Sequence, residues 1–164
     1  MIILNERQIE QKIKRLAYEI IEHNFDETSL IVAGINKNGL YFAQLLVNQL
    51  VELCDIEIQL TQIKLNPANP LAGDIAIDMP LAQLHDKVIL VVDDVANTGR
   101  TLFYAAKPLM NVLPRKVEFV VLVDRKHKAF PIAPNYVGFS LATTLKENID
   151  VQLEDVIEKT VFLR

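Results

Sequence analysis

Regularly spaced apolar residues predict two amphipathic helices in the first third of the chain. Aliphatic side chains recur every three or four positions across residues 5–24, and Asn5 with Gln8 forms a capping-box pattern at the start of that segment. Residues 38–54 repeat the helical spacing. Each pattern places its apolar residues on one side of a helix, where they can pack against the rest of the molecule.

Short apolar runs between and after these helices predict β-strands. Unbroken aliphatic runs are typical of strands buried on both faces, whereas alternation of apolar and polar residues indicates one exposed face. Apolar runs occupy residues 29–35, 87–95, 116–124, 135–141 and 160–163. Alternation occupies residues 56–65 and slips near Gln62, which predicts a bulge or a twist there.

Prolines and glycines mark the irregular parts of the chain. Residues 66–80 contain three prolines and a glycine, and are predicted to form a long loop or a hairpin arm outside the core. Residues 99–113 have helical spacing with Pro108 inside. We expect a kink at Pro108 because the proline ring removes a hydrogen-bond donor.

Strands that alternate with helices predict an α/β fold, with a parallel sheet covered by helices on both faces. No linker or repeat divides the 164 residues, so we expect one domain spanning residues 1–164. In such sheets a ligand binds beyond the carboxyl ends of the strands. This rule brings residues 34–39, residues 93–101 and the residues from Asp124 onward to one edge.

The composition is that of a soluble globular protein, with 51% hydrophobic and 23% charged residues. No apolar stretch approaches the roughly 20 residues of a membrane-spanning helix, and the amino terminus lacks the pattern of a signal peptide. The single cysteine, Cys54, excludes an intramolecular disulfide, and we expect a cytoplasmic protein. A net charge of −4 argues against non-specific coating of nucleic acid.

Candidate chemistry is concentrated where the strand at residues 87–95 ends. Asp93 and Asp94 are adjacent carboxylates, which repel each other and require a cation, a metal or hydroxyl groups as partners. Residues 96–101 lead from them into a helix with small and hydroxyl-bearing side chains, and backbone N–H groups in such a position bind phosphate. Carboxylates for a sugar diol beside a phosphate cradle match the two ends of ribose 5-phosphate. The alternative is that the acidic pair only caps the following turn.

This string resembles the phosphoribosyl-pyrophosphate signature of type I phosphoribosyltransferases, two acidic residues followed by a T-G-x-T loop. The order of elements and residues 122–138 are similar to the PyrR-like branch of that family, which contains a pyrimidine-operon attenuator that is also a uracil phosphoribosyltransferase. The resemblance covers most of the chain and is strongest at residues 88–102 and 122–138. It implies the α/β fold of that family, a parallel sheet flanked by helices with a small irregular hood and loop region.

The resemblance implies a role for each part of the predicted edge. Asp93 and Asp94 would be the catalytic carboxylates, holding the ribose hydroxyls and, through water, Mg²⁺. The residues implied in phosphoribosyl-pyrophosphate binding are Asp93, Asp94, Ala96, Asn97, Thr98, Gly99, Arg100 and Thr101. The pyrophosphate loop would consist of Asn36, Lys37, Asn38 and Gly39. The base would lie against Asp124, Arg125, Tyr136 and Val137.

Two segments depart from the family pattern. PyrR-like chains carry a lysine, a threonine and an arginine in a pyrophosphate loop framed by glycines, whereas this chain has one cation there, Lys37, between Asn36 and Asn38. Residues 66–80 occupy the place of the family's mobile loop but contain no tyrosine or arginine. A plain strand-to-helix turn, with Asn38 as the helix cap, is the alternative interpretation of residues 34–39.

Three functions are compatible with these observations. The first is Mg²⁺-dependent transfer of ribose 5-phosphate from phosphoribosyl pyrophosphate to a nucleobase, with uracil as the first choice, by a homodimer or higher homo-oligomer. The second is a nucleotide-sensing regulator that binds RNA, which the scattered basic residues of an acidic chain disfavour. The third is a ligand-binding member of the fold without catalysis, which the altered pyrophosphate loop supports.

Overall fold

The computed structural model describes residues 1–142 and 146–164. In this part of the chain the helices are α1 (Glu6–His23), α2 (Asn36–Leu53) and α3 (Arg100–Ala105). The strands are β1 (Ile2–Leu4), β2 (Ser29–Ile35), β3 (Glu57–Lys64), β4 (Ala76–Ile77), β5 (Val88–Ala96), β6 (Lys116–Arg125), β7 (Tyr136–Leu141), β8 (Ile149–Gln152) and β9 (Thr160–Leu163). Short 3₁₀ helices cover Leu81–Leu84 and Lys107–Asn111.

The larger sheet has six strands in the order β4-β3-β2-β5-β6-β7, and all of them except β4 run parallel. In this order β3 lies on one side of β2, and β6 lies on the opposite side of β5. The connection from β2 to β3 therefore runs across the sheet in the opposite direction to the connection from β5 to β6. Right-handed crossovers therefore place α2 and α3 on opposite faces of the sheet. The strand order reverses between β2 and β5, and α/β proteins bind ligands at such a switch point.

Both faces of the central strands are buried, as their unbroken aliphatic runs predicted. In β5, Leu90 and Val92 belong to the apolar cluster formed with α1 and α2. Ile89 and Val91 belong to the cluster on the other face, which contains residues of α3. Close packing on both sides makes the sheet a rigid support for whatever is attached to its strand ends.

The predicted start of the first helix is confirmed. Asn5 Oδ1 accepts a hydrogen bond from Gln8 N at 3.0 Å, and Asn5 N donates to Gln8 Oε1 at 3.0 Å. This reciprocal pair satisfies two backbone donors that a helix start leaves without partners. Among the described residues, no helix has the length and apolar character needed to cross a membrane.

The helix after β5 is shorter than the sequence predicted. α3 ends at Ala105, and the chain continues as the 3₁₀ helix Lys107–Asn111, with Pro108 in its first turn. The predicted kink is wrong, because the proline lies in the first turn of a new helix instead of interrupting a continuous one. The first turn of a helix tolerates proline since the missing N–H has no helical partner there.

The sequence predicted a bulge or a twist at Gln62, and the pairing of β3 with β2 contains no bulge there. The register between these strands runs without a shift over seven residue pairs. The alternation changes because the burial of the two faces changes along β3. Ile58 and Leu60 pack toward α2, whereas Thr61 is buried and Ile63 packs in the cluster on the α3 face.

The small hood implied by the family resemblance contains an antiparallel sheet, whose register shifts between Ile2 and Leu4. It has three strands in the order β1-β9-β8 and so joins the two ends of the chain. The predicted last strand is confirmed as β9, whereas β1 and β8 were not predicted. Leu153 and Val161 lie in the same apolar core as α2 and β5, which ties this small sheet, the hood, to the larger one.

The proline-rich segment forms the hairpin arm that was one of its two predicted forms. Ala76 and Ile77 pair antiparallel with Lys64 and Ile63 of β3. Lys64 Nζ also lies 3.2 Å from Asp78 Oδ2, so the two sides of the arm carry an exposed ion pair. The arm extends the sheet beside the carboxyl ends of the strands.

Candidate active site at the carboxyl ends of the strands

β5 reaches further than its neighbour β2, and this difference opens a cleft. β2 pairs with β5 only as far as Gly34 opposite Val92, and the chain then turns into α2. β6 continues beside β5 as far as Ala96 opposite Asp124. Among the described residues, one edge of β5 therefore has no strand partner from Asp93 onward.

Two carboxylates lie where this edge becomes free. Asp93 is 8% exposed, and its Oδ1 accepts a hydrogen bond from Asp94 N at 2.9 Å. Asp94 Oδ1 accepts from Val95 N at 2.9 Å. Burial raises the pKa of Asp93 well above that of a free carboxyl, and the negative charge of Asp94 raises it further. The pair therefore needs a cationic or hydrogen-donating ligand when it is ionised.

The first turn of α2 packs directly against the end of β5. A Cβ atom at Gly39 would come within 2.8 Å of Val92 O and 3.2 Å of Asp93 Oδ1. Glycine is therefore required for this close approach, which brings the start of α2 beside the carboxylate pair. The amino-terminal end of a helix carries partial positive charge and favours anions in the adjoining space.

The predicted pyrophosphate loop is the first turn of this helix. β2 ends at Ile35 and α2 begins at the next residue, so residues 34–39 form a strand-to-helix turn, and its helix cap is Ile35, not Asn38. Asn36 has a left-handed backbone with φ of 53°, which asparagine tolerates better than most residues. Its Oδ1 accepts a hydrogen bond from Leu65 N at 3.0 Å. This bond ties the turn to the base of the proline-rich arm.

Residues 96–101 form a tight turn at the other end of the carboxylate pair. Gly99 has φ of 88°, a left-handed conformation that glycine adopts without strain. Thr98 O accepts hydrogen bonds from Ala129 N at 2.9 Å and from Phe130 N at 3.2 Å. The turn is thus held by residues that follow β6, and Ala129 and Phe130 line a cavity together with it.

Three adjoining cavities form one cleft along the strand ends. The first, of ≈560 Å³, is lined by the turn at residues 96–101, and the second, of ≈260 Å³, lies between the carboxylate pair and the start of α2. The third, of ≈310 Å³, lies between the start of α2 and the hood. Pro67 borders the first two cavities, and Lys37, Asn38 and Asp94 border the last two.

A groove of ≈540 Å³ between α1 and α2 is similar in size to the first cavity but lies away from the strand ends. Its walls mix cations such as Arg7 and Lys14 with anions such as Glu10 and Glu52. These charges do not converge on one ligand group, whereas the cleft joins a buried acidic pair to two turns rich in backbone donors. The cleft is therefore the candidate site.

Comparison with known proteins identifies the family. The sequence model described as "Phosphoribosyl transferase domain" matches residues 2–156 of this chain. The chain belongs to the phosphoribosyltransferase family. The bifunctional protein PyrR of Brevibacillus brevis is 35% identical over 162 residues, with 94% of this chain and 90% of the relative covered. The bifunctional protein PyrR of Enterococcus faecalis is 34% identical over 157 residues, with 90% and 86% covered. The predicted resemblance to PyrR-like proteins is confirmed.

Solved structures of phosphoribosyltransferases share the fold. A hypoxanthine-guanine phosphoribosyltransferase of Bacillus anthracis matches with a TM-score of 0.71 at 23% identity, covering 86% of this chain and 82% of that chain. A hypoxanthine phosphoribosyltransferase of Trypanosoma cruzi matches with a TM-score of 0.78 at 20% identity, covering 100% and 91%. The predicted type I phosphoribosyltransferase fold is confirmed, and the protein is an enzyme of the pentosyltransferase class.

Two of the residues predicted on the base side of this phosphoribosyltransferase lie at the cleft. Asp124 and Arg125 end β6, level with the end of β5. Asp124 Oδ1 accepts a hydrogen bond from Lys128 Nζ at 2.6 Å. Arg125 Nη1 donates to Asn97 Oδ1 at 3.2 Å. The structure therefore brings the predicted base side and the predicted phosphate side of the site together.

The other two residues predicted on the base side, Tyr136 and Val137, lie toward the opposite end of the sheet. Tyr136 begins β7 and pairs with the residue four positions before Asp124, which is roughly 13 Å along a strand. Its ring is buried, and its hydroxyl donates to Glu118 Oε1 at 2.9 Å. The expected base contact does not fit this position, because β7 reaches the level of the cleft only at its last two residues, Ser140 and Leu141.

The hood contributes acidic residues that the sequence did not single out. Asp150 lines the third cavity, and its charge adds to the effect of burial in raising the pKa of Asp94. Arg164 Nη2 lies 3.0 Å from Asp150 Oδ2. Glu154 Oε2 lies 3.5 Å from Lys37 Nζ and so connects the hood with the start of α2. Apolar and polar residues alternate over residues 149–154, and this period of two was the available signal for a strand.

Proposed function

We propose that this phosphoribosyltransferase transfers ribose 5-phosphate from phosphoribosyl pyrophosphate to uracil and releases pyrophosphate. The observation that carries the proposal is the position of Asp93 and Asp94 between two cavities, one at residues 96–101 and one at the start of α2. A ribose held by its hydroxyls at the carboxylate pair would place its 5-phosphate in the first cavity and its pyrophosphate in the second.

Similarity to PyrR proteins supports uracil over a purine, because the PyrR-like branch contains a uracil phosphoribosyltransferase. Two PyrR relatives share 35% and 34% identity with this chain over most of both sequences. The hypoxanthine-guanine and hypoxanthine enzymes share the fold at 23% and 20% identity. Substrate contacts diverge faster than a fold does, so the more similar relatives are the better guide to the base.

The two turns supply the groups that bind phosphate. The proposed 5-phosphate site consists of Ala96, Asn97, Thr98, Gly99, Arg100 and Thr101, with backbone N–H groups and threonine hydroxyls as donors. The proposed pyrophosphate site consists of Asn36, Lys37, Asn38 and Gly39. Lys37 must leave Glu154 to reach pyrophosphate, which the 77% exposure of its side chain allows.

The carboxylate pair suits the chemistry of this transfer. Breaking the bond between the anomeric carbon and pyrophosphate leaves positive charge on the sugar ring. Ionised Asp93 and Asp94, fixed beside the ribose hydroxyls, would stabilise that charge electrostatically. Because burial disfavours their ionised forms, a bound cation or a set of hydroxyl donors is needed to keep the pair charged.

The same pair fits the Mg²⁺ that phosphoribosyltransferases use with phosphoribosyl pyrophosphate. Mg²⁺ binds oxygen ligands and is commonly held by one or two carboxylates, with substrate oxygens and waters completing its shell. Asp93 and Asp94 offer two carboxylates at the cavity, and the described residues contain no group of three or more metal-ligating side chains. When bound, Mg²⁺ would neutralise the charge of the departing pyrophosphate.

Transfer also requires that water be kept from the sugar, and the hairpin arm lies where it can do this. Arg100 Nη2 donates to Pro67 O at 2.6 Å, so the turn at residues 96–101 holds the start of the arm over the cleft. In this proposal Asp124 and Arg125, at the end of β6, would border the side from which the base attacks. A closed arm would leave the base as the nearest nucleophile.

Pyrophosphate release tests the proposal directly. Phosphoribosyl pyrophosphate and Mg²⁺ are supplied with uracil, hypoxanthine, guanine and adenine in separate reactions. We expect release with uracil and none with the three purines. Release with a purine alone would overturn the choice of base. No release with any base, while calorimetry shows phosphoribosyl pyrophosphate bound, would establish a ligand-binding protein without catalysis.

RNA binding, the second function compatible with the sequence, receives little support from the exposed side of α1. The relatives are named bifunctional. On α1, however, Lys14 and Arg15 share a shallow concavity with Glu19 and Glu22, and Arg15 Nη1 lies 2.6 Å from Glu19 Oε1. Such mixed charge weakens attraction to a phosphate backbone. RNA retention that falls steeply as salt is raised would reveal this function.

A further inference from the structure

Lys128 links the two sides of the cleft from behind. It follows β6 in the segment that backs the turn at residues 96–101, and its side chain is 21% exposed. Lys128 Nζ donates to Asp124 Oδ1 at 2.6 Å, to Asn97 O at 3.0 Å and to the backbone oxygen of Arg125. A lysine ammonium has three N–H donors, so protein acceptors use all of them.

These three bonds leave Lys128 without a donor for a substrate oxygen. Its influence on a ligand must therefore pass through the groups it holds. One of them, Asn97 O, belongs to the phosphate-binding turn, and another, Asp124 Oδ1, belongs to the base side. Lys128 thus joins two strand ends, of β5 and β6, that the sheet pairs only as far as Ala96 opposite Asp124.

The bond to Asn97 O determines where the next N–H points. In a planar trans peptide the C=O and N–H groups point in opposite directions, and the described residues contain no cis peptide bond. The peptide between Asn97 and Thr98 has its oxygen directed toward Lys128. The peptide between Thr98 and Gly99 has its oxygen directed toward Ala129 and Phe130. The N–H groups of Thr98 and Gly99 therefore point away from the donors that hold these oxygens, and both residues line the cavity.

Both N–H groups are available to a ligand. Within the described part of the chain, neither Thr98 N nor Gly99 N donates to a protein acceptor. Successive backbone N–H groups that face one cavity form a concave anion site. The strength of such a site depends on holding the peptides in place before the anion arrives, because ordering them on binding costs affinity.

We propose that Lys128 is a positioning residue, which holds the phosphate-binding turn in its binding conformation by fixing the peptide after Asn97 and anchoring it to Asp124. The inference rests on the proposed function, since it assumes that the cavity at residues 96–101 takes the 5-phosphate. The side-chain stem of Lys128 also packs under the turn, because a Cβ atom at Gly99 would lie 3.5 Å from Lys128 Cδ. The charge and the stem can therefore be tested separately.

Three variants separate these contributions. Lys128→Met keeps an unbranched apolar stem and removes the donors, Lys128→Arg restores a cation with several donors, and Lys126→Met removes an exposed positive charge two residues away. The dissociation constant of ribose 5-phosphate is measured by NMR titration of the Thr98 and Gly99 amide signals, which requires no turnover. We expect Lys128→Met to weaken binding about tenfold, Lys128→Arg to recover most of it and Lys126→Met to match the wild type.

The KM for phosphoribosyl pyrophosphate provides a second measurement, which a purely structural role of Lys128 would leave unchanged. Lys128→Met is expected to raise KM for phosphoribosyl pyrophosphate while the melting temperature stays close to that of Lys126→Met. Wild-type affinity for ribose 5-phosphate in Lys128→Met would overturn the inference. Equal weakening in Lys128→Met and Lys126→Met would also overturn it, since the effect would then be one of charge alone.

The binding assay separates failure of this inference from failure of the proposed function. If the wild-type protein binds ribose 5-phosphate but releases no pyrophosphate, the transfer reaction is contradicted. The titration of the Lys128 variants still tests the role of Lys128 in that case. A wild-type protein that does not bind ribose 5-phosphate overturns the inference. If Lys128→Met does not fold, the ammonium signal of wild-type Lys128 decides: slow proton exchange and a shift on ribose 5-phosphate binding support the proposal, and fast exchange contradicts it.

Discussion

Two adjacent carboxylates at the end of β5 lower the stability of the folded chain at neutral pH. Burial raises the pKa of Asp93, so the folded chain binds this proton more tightly than the unfolded chain does. The favourable contribution of the group is fully present below the pKa of an unfolded aspartate and is lost as the pH rises through the raised pKa. A site that binds a sugar and a cation thus works against the fold that carries it.

Asp93→Asn should therefore stabilise the protein while it impairs the site. Asparagine keeps an oxygen that can accept from Asp94 N but carries no charge. We expect the melting temperature of the variant to exceed that of the wild type at pH 8 by more than at pH 4, measured without Mg²⁺. Each kcal/mol gained would raise it by about 2–4 °C in a domain of this size. A difference that does not change with pH would contradict the assignment of the raised pKa.

Asp94→Asn should reduce turnover sharply. The substitution removes one of the two charges that would stabilise the sugar cation and hold Mg²⁺, and a loss of about 100-fold or more in kcat/KM is expected. Cys54→Ala is the control, since this thiol lies at the far end of α2 and donates to Leu50 O. Steady-state pyrophosphate release measures both variants. Normal turnover in Asp94→Asn would count against the site.

Tyr136→Phe should affect stability and leave the reaction unchanged. Burial and the neighbouring Glu118 raise the pKa of Tyr136, whose hydroxyl stays protonated and donates to that carboxylate. With phenylalanine at this position, Glu118 Oε1 keeps Lys116 Nζ as a partner at 3.3 Å. Loss of the tyrosine hydrogen bond should lower the free energy of unfolding by about 1–3 kcal/mol. Urea unfolding measures the cost. A large rise in KM for the base would show that Tyr136 contacts the base, contrary to its position in the structure.

Among the secondary-structure elements, the difference in reach between β2 and β5 creates the cleft. β2 stops at Ile35, and Gly39 lets the first turn of α2 approach the end of β5. β5 continues to Ala96, and its free edge carries the acidic pair. The strand was predicted from its apolar run, but its greater reach depends on pairing with β6 across the whole segment.

Arg100 should control how firmly the hairpin arm is held. Its guanidinium donates to Pro67 O at 2.6 Å, and Arg100→Met removes this bond. We expect thermolysin to cut the variant several-fold faster within residues 66–80, where Leu71 is exposed. Lys107→Met removes a nearby exposed charge and serves as the control. Equal cutting rates in the two variants would show that Arg100 does not restrain the arm.

At the level of the whole molecule, we expect a homodimer, as the family resemblance implies. Met110 and Leu113 are 72% and 75% exposed in the segment after α3, and burying large apolar side chains favours association. Light scattering after size-exclusion chromatography should give about twice the 18.6 kDa of one chain. A mass of one chain at micromolar concentration would contradict the expectation, and Met110→Lys should shift a dimer toward that mass.

Most of the fold could be predicted because its determinants are local. The capping box at Asn5 and the unbroken aliphatic run of β5 each express a backbone preference or a burial pattern within a few residues. The errors came from competition between local signals and packing. Pro108 lies in the first turn of a second helix because α3 ends before it, and Gln62 lies in a strand without a bulge whose two faces are buried unequally.

The sequence by itself determined the alternation of strands and helices and the acidic pair followed by a glycine–threonine turn. Tertiary structure decided which distant residues share the cleft. Asp150 and Lys128 come to the site from the hood and from the segment after β6, whereas packing takes Tyr136 to the far end of the sheet. The physical reason is that helix capping and hydrophobic periodicity act over a few residues, whereas burial, close approach and raised pKa values arise only when separate elements pack together.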